Sequence, residues 1–259
     1  MGSTFSSTVS RLPSWLLRRT VGGAAKQTDA AAWGLFQQAA AATARYGARP
    51  LVADAVVELA DFFGAHTEFL NPAAEVSAPV RLETCWGDLL PGRAVACRPW
   101  FRLAAPVETC VDDAPANGVF EDLSVLAAPA GVLKELSART PKLAAPEYGI
   151  VAFTGVGYPP LTAALRDRIW DAWRVPVFEQ FRGFQGELLG AECEAFAGLH
   201  FDPTVVQWEP RDGASGQLLL TSLRNLRHPV WRLATGYAGR VVEEECDCGS
   251  SSPRLVWAE

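Results

Sequence analysis

Apolar residues along this chain follow a helical rhythm first, then a strand–helix–strand rhythm, then a series of short strand-length runs. Trp33, Phe36, Gln37, Ala40 and Ala44 share one helical face, with Thr28 or Asp29 as cap and Gly47 as stop. Pro50 opens the next segment, and Val52, Val56, Leu59 and Phe63 mark a second apolar face ended by Gly64. Residues 28–66 therefore predict a helical hairpin. Between 67 and 119, Pro72, Pro79, Pro91, Pro99, Pro106 and Pro115 interrupt every rhythm. Only short strands around 80–82 and 94–96 are predicted there.

From Phe120 onward the pattern predicts alternating strands and helices. Pro129 suits the first turn of a helix carrying Leu133 and Leu136. Residues 150–153 read as a short buried strand, followed by the turn Gly155-Val156-Gly157. Leu161, Leu165, Ile169 and Trp173 then recur every four residues on a charged helix whose solvated face holds Asp167, Arg168 and Asp171. Residues 175–178 read as the next strand, completing a βαβ unit. After Leu199, segments at 205–208, 217–223, 231–235, 240–244 and 254–257 are strand-length and separated by Gly, Asp or Pro. The expected fold is α/β: a helical N-terminal region, a βαβ layered sheet and a C-terminal antiparallel meander or barrel.

A chain of 259 residues with 49% hydrophobic content has ample material for a large core. A net charge of −6 argues against nonspecific nucleic-acid binding, which needs Lys and Arg to neutralise phosphates. The six cysteines follow no regular disulfide framework, so a cytoplasmic setting with thiols free or on metal is expected. No apolar run is long enough for a membrane span. Up to Asp29 the chain holds Arg11, Arg18, Arg19 and Lys26 and no acidic residue. Residues 1–27 read as a flexible basic leader or a basic first helix packed by Leu12, Trp15 and Leu16; a transit peptide or a surface-seeking helix is the alternative.

The strongest chemical signal is a set of three thiols and one imidazole. Cys193 and His200 flank a six-residue spacer, and Cys246-Asp247-Cys248-Gly249 reads as a tight turn. Thiolate and imidazole are the ligands zinc prefers, and four protein ligands close the shell, so the role would be structural. The alternative is a buried core thiol at Cys193, a surface histidine at His200, and late cysteines that are free or oxidised. Cys85, Cys97 and Cys110 read as core thiols beside Trp86, Trp100 and Phe101, with His66 a fourth group if they formed a second site. His228 precedes Pro229 and reads as a loop residue.

Several pieces occur in an order that resembles the phenylacetate–coenzyme A ligase family of adenylate-forming enzymes. They are Leu161-Thr162-Ala163-Ala164-Leu165-Arg166, then Glu192-Cys193-Glu194-Ala195 with Gly198-Leu199-His200. Gly216-Gln217-Leu218-Leu219-Leu220-Thr221-Ser222-Leu223 follows, then Arg232 with Thr235-Gly236, and Cys246-Asp247-Cys248-Gly249 with Pro253-Arg254-Leu255. The resemblance makes 120–259 a ligase-like domain and 28–119 a helical or irregular N-terminal region. It also places a Cys/His set where the four candidate ligands lie. Such enzymes join a carboxylic acid to coenzyme A through an acyl-adenylate.

The nucleotide-handling motifs that the resemblance implies are eroded in this sequence. No Ser/Thr/Gly-rich phosphate loop is found; Gly22-Gly23 lacks the hydroxyl residues and sits too early. The adenine motif falls on Phe181-Arg182-Gly183-Phe184-Gln185, which keeps the aromatic but puts neutral Gln185 where a magnesium carboxylate is expected. Arg182 occupies a glycine slot and is expected to pair with Glu179 or Glu187, or else to bind a carboxylate or phosphate. The ribose motif is Thr235-Gly236-Tyr237, with Tyr in place of Asp. Losing two charged hydrogen bonds to ribose costs on the order of 3–6 kcal/mol. The chain stops at Glu259, near the expected hinge, so the C-terminal lysine domain is expected to be absent.

The leading expectation is a ligase-like domain that has lost independent ATP-dependent acyl activation and acts as a zinc-stabilised binding or accessory protein. One alternative is an acyl-activating enzyme of altered design using ATP, magnesium and coenzyme A, completed by a partner chain. Another is a non-enzymatic zinc-stabilised module that homodimerises or binds a protein partner.

Overall fold

Residues 94–97, 125–128 and 150–153 alternate between two buried faces, which dictates a strand layer covered on both sides. The computed structural model describes residues 30–47, 55–75, 78–84, 92–110, 122–139, 144–211 and 216–258. The basic leader, both candidate caps Thr28 and Asp29, the Trp33 side chain, Pro50, Val52, Cys85, Pro91, Pro115 and Phe120 lie outside those residues.

Helices α1 (Ala30–Ala41), α2 (Ala44–Gly47) and α3 (Leu59–Gly64) come first, followed by a 3₁₀ turn at His66–Phe69. Strands β1 (Arg93–Cys97), β2 (Glu108–Cys110) and β3 (Leu123–Pro129) precede α4 (Ala130–Ser137). Strand β4 (Gly149–Gly155), helix α5 (Ala163–Trp173) and strand β5 (Val177–Arg182) form the predicted βαβ unit, with β4 and β5 parallel. The rest is β6 (Leu188–Glu192), β7 (Leu199–His200), β8 (Val206–Pro210), β9 (Gln217–Ser222), β10 (Leu233–Val242) and β11 (Arg254–Trp257). Among the described residues eleven strands run in the order β2-β1-β3-β4-β5-β6-β7-β11-β10-β9-β8, parallel up to β5 and antiparallel beyond it.

The hydrophobic rhythm explains α5 well. Thr162 caps it by accepting from the Leu165 amide at 3.2 Å, and Arg174 ends it in a left-handed conformation. Leu161, Ile169 and Trp173 are buried against Val177, Ile150 and Leu126 on one face of the sheet. The opposite face packs Ala96, Val125, Val151 and Phe153 on Phe101 and Leu82. In the antiparallel half, Phe181, Leu189, Leu199, Leu218 and Leu233 form a separate core with Val57, Phe62 and Phe69.

Four expectations change. The parallel sheet begins at β1 and not near Phe120, because β1 pairs with both β2 and β3. The stretch 80–82 contributes a single bridge, Val80 with Leu103, and no strand. The second arm of the helical hairpin is short: Val57 instead exchanges backbone hydrogen bonds with Arg232 and Ala234. Accordingly Phe62, stacked on Phe184 at 4.4 Å, is buried, while Phe63 is 48% exposed. The segments at 231–235 and 240–244 are one strand, β10, whose pairing with β9 shifts register between Ala234 and Ala238. Gly236, at φ +77°, supplies the kink.

Candidate functional site

The four candidate ligands come from two loops that the sheet order brings side by side. Cys193 follows β6, His200 ends β7, and Cys246 and Cys248 lie in the turn between β10 and β11. Strand β7 pairs with β6 on one side and β11 on the other, so the two loops meet. The ligand atoms all lie within 4.8 Å of one another. Cys193 Sγ is 3.8 Å from Cys246 Sγ, and Cys248 Sγ is 3.4 Å from His200 Nε2. A tetrahedral zinc shell with its usual bond lengths has S···S and S···N edges of about 3.8 and about 3.6 Å. The donor set and spacing therefore suit a four-coordinate metal.

The surrounding backbone prepares these atoms. His200 Nδ1 lies 3.2 Å from the Ser252 carbonyl, which can only accept, so this nitrogen carries the proton and Nε2 presents its lone pair to the thiols. Burial lowers the His200 pKa, which favours the neutral, ligating form. His200 is 1% exposed, so it is not a surface histidine. Gly249 at φ +79° closes the Cys246–Cys248 turn by donating to the Cys246 carbonyl at 2.7 Å, and the Cys246 amide donates to Ser250 at 3.0 Å. Burial and the neighbouring thiols push Cys193 up to about 12, so this thiol needs the compensating charge of a cation to act as a ligand.

Of the nucleotide-motif residues, Phe181 and Tyr237 meet in ring contact, while Gln185 and Arg232 have other partners. Phe181, fully buried on β5, meets Tyr237 at 5.3 Å, Trp208 at 5.3 Å and Trp257 at 5.4 Å between ring centroids. The Tyr237 hydroxyl donates to the Tyr158 carbonyl at 2.8 Å and lies 3.2 Å from that of Gly155. Thr235 donates to the Leu218 carbonyl at 2.9 Å and accepts from the Tyr237 amide at 3.1 Å. Gln185 Nε2 lies 3.0 Å from His228 Nδ1, and the Gln185 amide donates to Glu187. Arg232, near the Thr235 turn, donates to Glu209 at 2.7 Å.

Arg182 corrects an expectation. It pairs with neither Glu179 nor Glu187. The side chain is 2% exposed, and its donors go to Gln180 Oε1 and to the carbonyls of Gly186 and Arg81. Its guanidinium lies over the Phe101 and Phe153 rings at 5.6 and 5.8 Å. Burial in an apolar wall selects carbonyl acceptors and aromatic faces for it, and it is a structural pin.

Two residues that the sequence offered only as partners for Arg182 are buried carboxylates. Glu179, 2% exposed on β5, accepts from Thr154 at 2.5 Å and from the Trp257 indole at 3.2 Å. Burial raises its pKa to about 7. Glu187 accepts from the Gln185 amide and from Asn225 at 2.9 Å, and burial raises its pKa too. Their strand and turn positions carried no motif. The only available signal was an acidic side chain inside an otherwise apolar strand at Glu179.

No family model matches the sequence, and no curated protein matches it. The fold is similar to that of 2-hydroxyisobutyryl-CoA ligase in the postadenylation state in complex with R3-HIB-AMP. That similarity has a TM-score of 0.61 at 16% identity and covers 92% of this chain and 71% of that one. An open conformation of the same ligase in complex with 2-HIB-AMP and CoA gives a TM-score of 0.50 at 17% identity. There the match covers 65% of this chain, which spans 44% of that ligase. The chain thus has the mixed α/β fold of adenylate-forming ligases. Among the described residues, no helix is long and apolar enough to cross a membrane.

Proposed function

We propose that this chain is a degenerate relative of the phenylacetate–coenzyme A ligase type that has lost independent ATP-dependent acyl activation. On this reading it serves as a zinc-stabilised binding or accessory protein, and residues 120–259 are its ligase-like portion. Tyr237 carries the reading. Where a carboxylate would accept ribose hydroxyls, a phenol packs on Phe181 and spends its proton on the backbone of the β4–α5 turn. Gln185, neutral and engaged with His228, supports the same conclusion for magnesium.

Cys193, His200, Cys246 and Cys248 would hold the zinc. The ion supplies a cross-link and a compensating charge, with no open position for water or substrate. That link suits the place: β7 is two residues long and contributes little ladder between β6 and β11. The test is pyrophosphate release from Mg-ATP by the metal-loaded protein across aromatic and aliphatic acids. The reading expects none above background, and acid-dependent release sinks it.

One observation favours a second reading, an acyl-activating enzyme of altered design completed by a partner chain and using ATP, magnesium and coenzyme A. Glu187 places a carboxylate two residues beyond Gln185, held by the neutral groups Asn225 and the Gln185 amide. If that reading holds, Glu187→Gln abolishes the pyrophosphate release that the first reading says is absent.

A further inference from the structure

Outside the metal cluster, two more cysteines face each other. Cys97 ends β1 and Cys110 ends β2, and the two are register partners on adjacent parallel strands. Both side chains therefore stand on the same face of the sheet, and both pack against the core that covers Leu126 and Leu133. Adjacent strands lie about 4.8 Å apart, within the Cα separation of about 4.4–6.8 Å that a disulfide bridges. The Cys110 thiol is near enough to help raise the Cys97 pKa. The single group of three or more metal-ligating side chains among the described residues is the Cys193 cluster, so this pair has no third ligand.

We propose that Cys97 and Cys110 are a redox-active dithiol, oxidised by a hydroperoxide to a reversible disulfide that locks edge strand β2 onto β1.

The two sulfurs differ in the way such a step requires. Cys97 is 2% exposed, and burial together with Cys110 pushes its thiol up to about 12, so it is a poor first nucleophile. Cys110 is only half-buried, on the outermost strand of the parallel half. Its thiolate attacks the peroxide, the O–O bond breaks, and the departing oxygen leaves as water (or an alcohol) after taking a proton. The resulting sulfenic acid on Cys110 is attacked by the Cys97 sulfur. The S–S bond forms, the sulfenic hydroxyl departs as a second water, and the Cys97 proton is consumed in it. Two thiols lose two protons and two electrons, and the peroxide gains them. Arg98 and Arg139 lie close enough to favour a thiolate at Cys97 electrostatically, which assists the second step.

The consequence is local. Strand β2 is three residues long and, among the described residues, pairs on one side only. It is otherwise held by the Arg93–Glu108 ion pair at 2.8 Å and the Arg98 amide to the Cys110 carbonyl at 2.8 Å. A covalent link at its end removes the freedom of the 98–109 loop in the unfolded chain.

The test uses the full chain, metal-loaded, reduced and then treated with hydrogen peroxide. Remaining thiols are alkylated, and tryptic peptides are mapped without reductant. The expected product is a cross-link between the peptides holding Cys97 and Cys110, reversed by dithiothreitol. Peroxide should also raise the Tm of wild type by several degrees and leave that of Cys110→Ser unchanged. Recovery of both cysteines alkylated, or oxidised singly without the cross-link, overturns the proposal. The wild-type map decides the matter by itself if the variant fails to fold.

Discussion

Replacing Cys248 by Ser separates a metal centre from a chance meeting of side chains. Cys248 is half-buried in the β10–β11 turn, with its sulfur 3.4 Å from His200 Nε2. The change removes one of four ligands and opens no core cavity, so its effect should arise through the metal. A bound ion at about a thousandfold excess over its Kd stabilises the folded state by about 4 kcal/mol. For a chain of this length each kcal/mol moves Tm by about 2–4 °C. Wild type should thus carry one zinc per chain and lose about 8–16 °C on chelation. The Cys248→Ser variant should hold far less metal, melt near chelated wild type and respond little to chelator. Metal content by mass spectrometry and calorimetric scans with and without chelator measure both. Wild type that neither retains nor takes up zinc, or a variant with the same metal content and the same chelator response, refutes the reasoning.

Other outcomes follow from the same contacts. Tyr237→Phe takes the hydroxyl donor from the Tyr158 carbonyl and leaves that of Gly155 with the Tyr158 amide, and should cost about 1–2 kcal/mol in urea unfolding; an unchanged midpoint would mean the hydroxyl holds nothing. Arg182→Met leaves Gln180 Oε1 and two backbone carbonyls without their donor, and should cost about 3 kcal/mol or more. A loss below about 1 kcal/mol would show that its burial is neutral. Burial lifts Glu179 to about 7, well above its unfolded value, so the folded state holds that proton more tightly. Its contribution is full at low pH, below the unfolded carboxyl value, and is lost as pH rises through about 7. Urea titrations should show wild type losing more stability than Glu179→Gln across that window, and parallel profiles would contradict the assignment.

What the sequence disclosed depended on whether one residue pattern had one physical cause. The four-residue rhythm of Leu161, Leu165, Ile169 and Trp173 admits only a helix with one apolar side, and α5 is that helix. The Cys and His residues carried their chemistry in their identity, and the strand order brought them together. By contrast, only the centre of β1 at 94–96 was legible, and β2, three residues long and set between prolines, is too short to show a period. Val57 lies inside the predicted helical hairpin, yet its backbone is claimed by Arg232 and Ala234, a contact 175 or more positions away in sequence that no local pattern encodes. Arg182 was misjudged because charge suggested a surface turn. Its strand is buried along its whole length, and carbonyl oxygens and aromatic faces satisfy the guanidinium there. Glu179 and Trp257 stand 78 positions apart, so their bond was legible only in the fold.

The central claim is that the Phe181–Tyr237–Trp257 cluster leaves a nucleotide without a grip. Isothermal titration of Mg-ATP into the zinc-loaded chain tests it most directly. The account predicts no saturable heat at nucleotide concentrations up to about 1 mM, equivalent to less than about 4 kcal/mol of binding. A saturating isotherm with a micromolar Kd that Tyr237→Ala weakens would contradict it.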